Sequence, residues 1–365
     1  MLSFKDISDL FEVIELKLIA SLKRNLARHK AWEKDEGFQW PAWQTEKLKN
    51  IEHFRKENKA IMAEYSDKID LETRGLMADQ FSEGQNQVSK EEEAARAWSG
   101  RSPDAWKHRS NDPIREKIWN RPKPEPAKPT EDNFFGVNEP RLEKLIEDIR
   151  GSEQDAQSAA LRMMDDVYRQ TILKAETAMS AGATTLPQAI DIAVKDFLQR
   201  GINCIEYSNG TRVNIADYAQ MALRTAATRS YLQGEAKRRA EFGVDTVLVS
   251  QYGACSETCL PWQGRVYIDD VWGDFKGETK NGRGLSSNGR WYPLLSVAVK
   301  KGLFHPNCRH TVSTWYEGIS KLPNPMDAAK IKENSELEQR QRSMERRVRM
   351  LKRMTEGLQQ PGLVK

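Results

Sequence analysis

No stretch of 18 apolar residues occurs anywhere in this 365-residue chain, so no helical bilayer span is expected. The opening segment carries Asp6, Asp9, Glu12 and Glu15. Secretory and organellar leaders are poor in acidic residues, so synthesis in a cytosol is expected. Only four cysteines are present, Cys204, Cys255, Cys259 and Cys308. In a long cytosolic chain that argues against a disulfide framework as the source of stability. There is no GxxxxGK[ST] phosphate loop, no HExxH, no GxSxG elbow and no EF-hand loop, which excludes the enzyme and calcium-sensor designs built on them. No internal repeat is evident.

What is present is polar. Hydrophobic residues make up 38% and charged residues 30% of the chain, a balance that fits helical layers and exposed arms better than one compact ball. The length allows two or three domains, each with a real core. A net charge of +4 says little alone, but its distribution says more. Residues 330–353 hold nine basic against four acidic side chains, a surplus of +5 that leaves −1 for everything else. The basic excess therefore sits in one C-terminal segment.

The hydrophobic pattern predicts an α+β protein, predominantly α. An N-terminal helical arm over 1–98 begins with Ile7, Leu10, Phe11, Ile14, Leu18 and Leu22 at helical spacing. Gly37 and Pro41 break it, and a second helix from about Thr45 turns Leu48, Ile51, Phe54, Ile61 and Tyr65 inward. Residues 66–98 are so charged that helix is expected there only in part. Prolines at 103, 113, 122, 124, 126 and 129 make 99–137 a semi-rigid extended spacer.

A helical middle covers 138–243, with an interruption expected at Gly151-Ser152. A further helix is capped by Thr184-Thr185, carries Pro187 in its first turn and stops at Gly201. A small hairpin follows with its turn at Asn209-Gly210. The helix from Ile215 to Glu241 places Ile215, Ala219, Ala222 and Ala226 on one face, small enough for another helix to approach closely. In that helix Arg224, Arg229 and Glu235 read as interhelical or surface ion pairs. After Gly243 the period becomes strand-like. A small β module over 244–318 is expected from strands at Thr246–Ser250, Arg265–Ile268 and His310–Trp315, with 272–293 a long loop. The segment 319–365 is a basic helix and tail, polar on nearly all sides.

Three cysteines carry the chemistry. Cys255-Ser-Glu-Thr-Cys259 and His305-Pro-Asn-Cys308-Arg-His310 have the C-x3-C and H-x2-C spacings of four-coordinate zinc sites. Two ligands on one tight turn share a metal, and a pair some fifty residues on closes the tetrahedron. A set rich in thiolate suits zinc over calcium or magnesium. Cys255, Cys259, His305 and Cys308 are the expected structural set, with His310 the alternative fourth ligand. The competing readings are reduced cysteines acting as small hydrophobes, a disulfide or reactive thiol, or a thiolate–imidazole pair made by Cys308 with His305 or His310. The last is disfavoured because catalytic triads converge from distant positions. In Pro261-Trp262-Gln263-Gly264-Arg265, Trp262 either covers the site from solvent or is a core tryptophan beside a plain turn, and Gly264 allows the turn into the strand. In the tail, Arg346, Arg347, Arg349, Lys352 and Arg353 are candidates for contacts to DNA phosphates. No aromatics interleave with them, so no base-stacking platform is expected, and a solvated or partner-bound helix is the plainer reading.

The segments DVYRQTILKAETAMSAGATTLPQAIDIAVKDFLQRGI and NIADYAQMALRTAATRSYLQGEAKRRAEFGVDTVLVS resemble the phage minor capsid protein 2 family. So do PWQGRVY, the later NCRH with Arg309, and WQTEKLKNIEHFRKE near the start. HPNCRH is also similar to the ending of the wider head-morphogenesis proteins of tailed phages, the Mu F-like group included. The family's usual histidine three residues before the WQG tryptophan is Cys259 in this sequence, an exchange of one metal-ligand type for another. The resemblance implies a virion structural protein made in a bacterial cytoplasm and incorporated in few copies during head assembly. It implies a place at the portal-proximal interior, with portal or major capsid protein as partners and packaged DNA nearby. It establishes no enzymatic activity. Two rivals stand beside it: a Cys-His hydrolase or zinc-dependent nuclease of the phage head, and a basic nucleic-acid-binding protein without a capsid role.

Overall fold

The computed structural model describes residues 4–36, 40–100, 140–180, 195, 198–207 and 209–359. Helix predominates among these residues and the strands form small antiparallel sheets, so the class is α+β, predominantly α. Three long helices open the chain: α1 (Phe4–Glu36), α2 (Trp40–Gly100) and α3 (Pro140–Ser180). The hairpin β1 (Ile205–Glu206) and β2 (Arg212–Val213) precedes α4 (Ile215–Glu241). Strands β3 (Thr246–Val249), β4 (Val266–Ile268), β5 (Thr279–Lys280), β6 (Arg283–Leu285) and β7 (Trp291–Pro293) lead to the short α5 (Leu295–Lys300). Strand β8 (Val312–Thr314) and the terminal α6 (Ala328–Gln359) complete it. The chain divides into two compact units, one formed by 2–73, 147–223 and 341–365, the other by 74–146 and 224–340.

The first unit is a helical bundle. Ile7, Phe11, Ile14, Leu18, Leu22 and Leu26 of α1 are buried to 1% exposure or less, one stripe of a 3.6-residue period. Lys17 bonds Glu64 at 2.7 Å and Arg24 bonds Glu57 at 2.5 Å, so α1 and this part of α2 run antiparallel. Helix α3 packs on α2 in the opposite sense again. Phe54 stacks on Tyr168 at 4.7 Å, Arg55 pairs with Asp165 at 2.5 Å, and Thr73 Oγ1 donates to Glu153 at 3.1 Å. Burial pushes the Glu153 carboxyl up to about 8. Glu15 is also buried, and it accepts from the Ile202 amide and the Asn214 side chain. Two arginines of α6 belong to this unit: Arg349 pairs with Asp217 at 2.6 Å and Arg353 lies 3.5 Å from Glu15.

The second unit packs the end of α2 and most of α4 around the sheets. Gly84 and Gly234 let two helix backbones touch. A Cβ on Gly84 would fall 2.2 Å from the Tyr231 carbonyl oxygen, and one on Gly234 would fall 2.0 Å from that of Phe81. Ser230 Oγ adds a bond to the Met77 carbonyl at 2.5 Å. This close approach of α4 falls at Gly234, about two turns beyond Ala226, where glycine removes the side chain altogether. Strand β3 is central in the order β4-β3-β8, antiparallel on both sides. Arg239 of α4, 1% exposed, donates to Asp269 at 2.9 Å just past β4 and to Glu235 at 3.4 Å. Burial holds the Glu235 carboxyl near 8. Removing Arg239 would leave the buried Asp269 and Glu235 without their counter-charge.

Several expectations need correction. Residues 66–98 are helix throughout, because Ile69, Leu76, Met77, Phe81, Val88 and Ala95 form a buried stripe diluted by buried Thr73 and Glu92. Gly151-Ser152 does not interrupt α3, and Ser152 Oγ bonds back to the Asp148 carbonyl within the helix. The region 272–293 is no plain loop: β5, β6 and β7 make a second three-stranded sheet within it. Helix α5 was not anticipated. The proline-rich spacer and the Thr184–Pro187 helix start lie outside the described residues, as does Gly37. Pro41 lies in the first turn of α2, where its missing amide proton costs nothing.

The helix contact at Gly234 is testable. Gly234→Ala should destabilise the full chain by about 1–3 kcal/mol through overpacking, read as a lower denaturation midpoint. An unchanged midpoint would show that the two backbones do not meet there.

Candidate metal centre

The site is built on the central strand. Beyond the Val249–Val312 pair, the Ser250 amide donates to the Thr311 carbonyl at 2.9 Å, and the Thr311 amide donates to Ser250 Oγ at 2.9 Å. This continues the ladder to His310. After β3 the chain leaves as a series of turns over 251–264 and re-enters through Gly264, whose amide donates to the Val249 carbonyl at 3.0 Å. Gly264 lies at φ 68, a region disfavoured for residues with a Cβ. Cys255 and Cys259 ride on this excursion, and Cys259 and Trp262 are fixed by backbone bonds Cys259 N–H to Ser256 and Trp262 N–H to Cys259.

The opposing segment follows α5. Gly302 at φ 110 faces Thr258, and a Cβ there would come within 2.2 Å of the threonine methyl carbon. Phe304 and Asn307 both adopt positive φ, 59° and 64°. Such bends cost about 1–3 kcal/mol each for residues other than glycine. They turn the chain sharply enough for Cys308 to face Cys259.

Three ligand atoms converge as a result. Cys259 Sγ is 3.7 Å from Cys308 Sγ, and Cys308 Sγ is 3.2 Å from His310 Nδ1. All three ligand atoms lie within 4.8 Å of one another, a grouping able to hold a metal ion. The histidine tautomer follows from its other nitrogen. Gln263 Oε1 accepts from the Tyr252 amide at 2.8 Å, which fixes it as the oxygen of the side-chain amide. It lies 3.0 Å from His310 Nε2 and can only accept, so Nε2 carries a proton and Nδ1 is the nitrogen that faces the sulfurs. A ring held by a second hydrogen bond with its other nitrogen turned inward is the arrangement of a metal-ligating histidine. His310 is 1% exposed.

The two thiols share a proton unequally. A hydrogen bond from the Cys308 thiol holds Cys259 down to about 4, against the opposing effect of burial. Cys308 is pushed well up, first by that same bond and then by burial. A sulfur held negative attracts a soft cation. Cys259 is 1% exposed and Cys308 half-buried.

Cys255 and His305 stand outside this trio. Cys255 is buried in the apolar cluster with Val247, Val249, Tyr267 and Leu303, and burial raises its thiol. His305 Nδ1 donates to the Pro306 carbonyl at 2.7 Å, and Nε2 accepts from Ser256 at 2.9 Å. Trp262 packs on the same cluster, its carbonyl accepting from the Tyr267 hydroxyl at 2.9 Å. Arg309 donates to the Tyr252 hydroxyl at 2.9 Å and lies 3.4 Å from Glu338, linking the module to the start of α6. The contacts of Ser256, Tyr252 and Glu338 were not read from the sequence. They join positions 49, 57 and 29 residues apart, and no spacing pattern marks such pairs. Among the DNA candidates, Arg346, Arg347 and Lys352 are exposed, whereas Arg349 and Arg353 are engaged in the ion pairs of the helical unit.

No helix of the described residues is long and apolar enough to cross a membrane. No solved structure matches the chain. A protein of Lactococcus phage LL-H described as "Structural protein" is 22% identical over 254 residues, covering 67% of this chain. The match spans 64% of that protein's own length. The family model for phage minor capsid protein 2 matches residues 2–116 and 129–362. That match takes in the helical bundle, the glycine-packed helices and the cysteine–histidine module alike, and the chain belongs to the phage minor capsid protein 2 family.

Proposed function

We propose that this protein is a low-copy structural component of the phage head, built in during head assembly on the interior near the portal. The observation that carries the reading is the family match across nearly the whole chain. The resemblance of its ordered motifs to head-morphogenesis proteins adds the place and the partners, portal or major capsid protein. The work of the chain in this reading is binding and bracing. Quantitative mass spectrometry of purified, nuclease-treated particles should find the chain at a small, constant ratio to the major capsid protein. Its absence from particles would overturn the reading.

The basic helix adds a DNA-facing surface. Arg346, Arg347 and Lys352 are exposed, and Arg349 and Arg353 clamp the helix from the other side. Three phosphate contacts predict a slope of roughly −2.7 for log affinity against log salt on duplex DNA. Replacing all three with glutamine should bring that slope near zero. An unchanged slope in the triple variant would place DNA elsewhere on the protein.

Cys259, Cys308 and His310 supply three of the four ligands that a structural zinc takes in this reading, and the ion ties the turn after β3 to the segment before β8. Two sulfurs and one imidazole with its Nε2 proton fixed away from the site form a soft donor set suited to that ion. The full chain purified under reducing conditions should carry about one zinc per molecule. Cys308→Ser should lose the zinc and lower the melting temperature. Zinc-free protein of unchanged stability would sink the assignment.

A further inference from the structure

The sulfur pair supports a second covalent state. We propose that Cys259 and Cys308 form a disulfide when the protein passes from a reducing to an oxidising environment. This makes the pair a redox modification site as well as part of the metal centre. The inference rests on the zinc reading only in sharing its residues, and it stands or falls on geometry.

Cys259 Sγ and Cys308 Sγ are already in van der Waals contact at 3.7 Å. Neither sulfur has to be carried in from elsewhere. Each is delivered by a segment attached to the same strand ladder, β3 on one side and β8 on the other. The Cys259 sulfur also lies 3.8 Å from the Gly302 carbonyl, so the two segments touch beside the pair as well as at it. The other thiols are placed differently. Cys204 belongs to the helical unit, with its sulfur 3.9 Å from the Ala156 carbonyl. Cys255 is enclosed in the apolar cluster and does not join the 4.8 Å grouping. Entry to the pair is from the Cys308 side, since Cys308 is half-buried and Cys259 fully buried.

The step balances with a peroxide as the oxidant. One sulfur, as thiolate, attacks the peroxide oxygen; the O–O bond breaks, a sulfenic acid forms, and the released hydroxide takes a proton to become water. The second sulfur then displaces the sulfenic oxygen, which leaves as a second water. Two thiols are oxidised by two electrons, one S–S bond forms, and one hydrogen peroxide is reduced to two waters. A metal held by the same sulfurs must leave as the bond forms, because a disulfide sulfur is no longer a thiolate ligand. On the proposed function, a head component made in a reducing cytosol and carried in particles outside it crosses that boundary.

The test uses the purified full chain. Zinc is first measured on the reduced protein. The protein is then treated with a chelator and hydrogen peroxide, remaining thiols are alkylated, and peptides are mapped without reduction. The expected result is one linked pair, Cys259 with Cys308, with reactive thiols falling from four to two and Cys204 and Cys255 alkylated. Linkage through Cys255, overoxidation of Cys308 without linkage, or four thiols surviving oxidation would each overturn the proposal. Cys255→Ser should leave the linkage intact, and this variant keeps the test valid should Cys259→Ser fail to fold. Linkage in a protein that never carried zinc would sink the metal assignment and leave the disulfide standing. Zinc without linkage would do the reverse.

Discussion

Strand β3 sets the geometry on which the cysteine–histidine module depends. Four residues, Thr246–Val249, are paired on both edges, so their register fixes two departures at once. The excursion carrying Cys255 and Cys259 leaves from its end and returns at Gly264; the segment carrying Cys308 and His310 arrives beside it through β8. A one-residue slip of β8 would turn every side chain of that strand to the other face. Val247 and Val249, both fully buried, resist such a slip because they fill the cluster from which Cys259 is also drawn. The site is therefore specified by packing before any ion or bond is added to it.

Much of the helical architecture is legible in the sequence, because long amphipathic helices repeat their signal. Ile7 through Leu22 and the bounds of α4 are read directly from periodicity. The stretch 66–98 misleads for a physical reason: Thr73 and Glu92 occupy inward positions, and a polar residue in a buried stripe looks like a broken period. The sheet within 272–293 is hidden because strands of two or three residues carry no alternation to detect. The glycines at 84 and 234 are equally silent. A glycine in a helix reads as a weakness, and only the facing helix reveals it as the condition for contact.

The cysteine clusters were legible as clusters, and that two segments meet there followed from spacing. Which histidine turns toward the sulfurs did not. His305 and His310 flank Cys308 at similar distances in sequence, and the difference between them lies in what holds their far nitrogens. Gln263 takes the Nε2 proton of His310, while Pro306 takes the Nδ1 proton of His305. Tertiary hydrogen bonds of this kind leave no local trace.

The ion pairs on the outside of the first hairpin contribute little energy, since exposed pairs are worth about 0.2–1 kcal/mol. Their spacing matters more than their strength. Lys17 and Arg24 stand seven residues apart, as do Glu57 and Glu64. An apolar stripe alone tolerates sliding one helix past the other by two turns. Such a slide would set Lys17 against Glu57 and leave Arg24 facing Asn50, or set Arg24 against Glu64 and leave Lys17 facing Leu71. One alignment alone closes both pairs, so the charges act as a vernier scale, selecting among offsets that the hydrophobic core cannot tell apart.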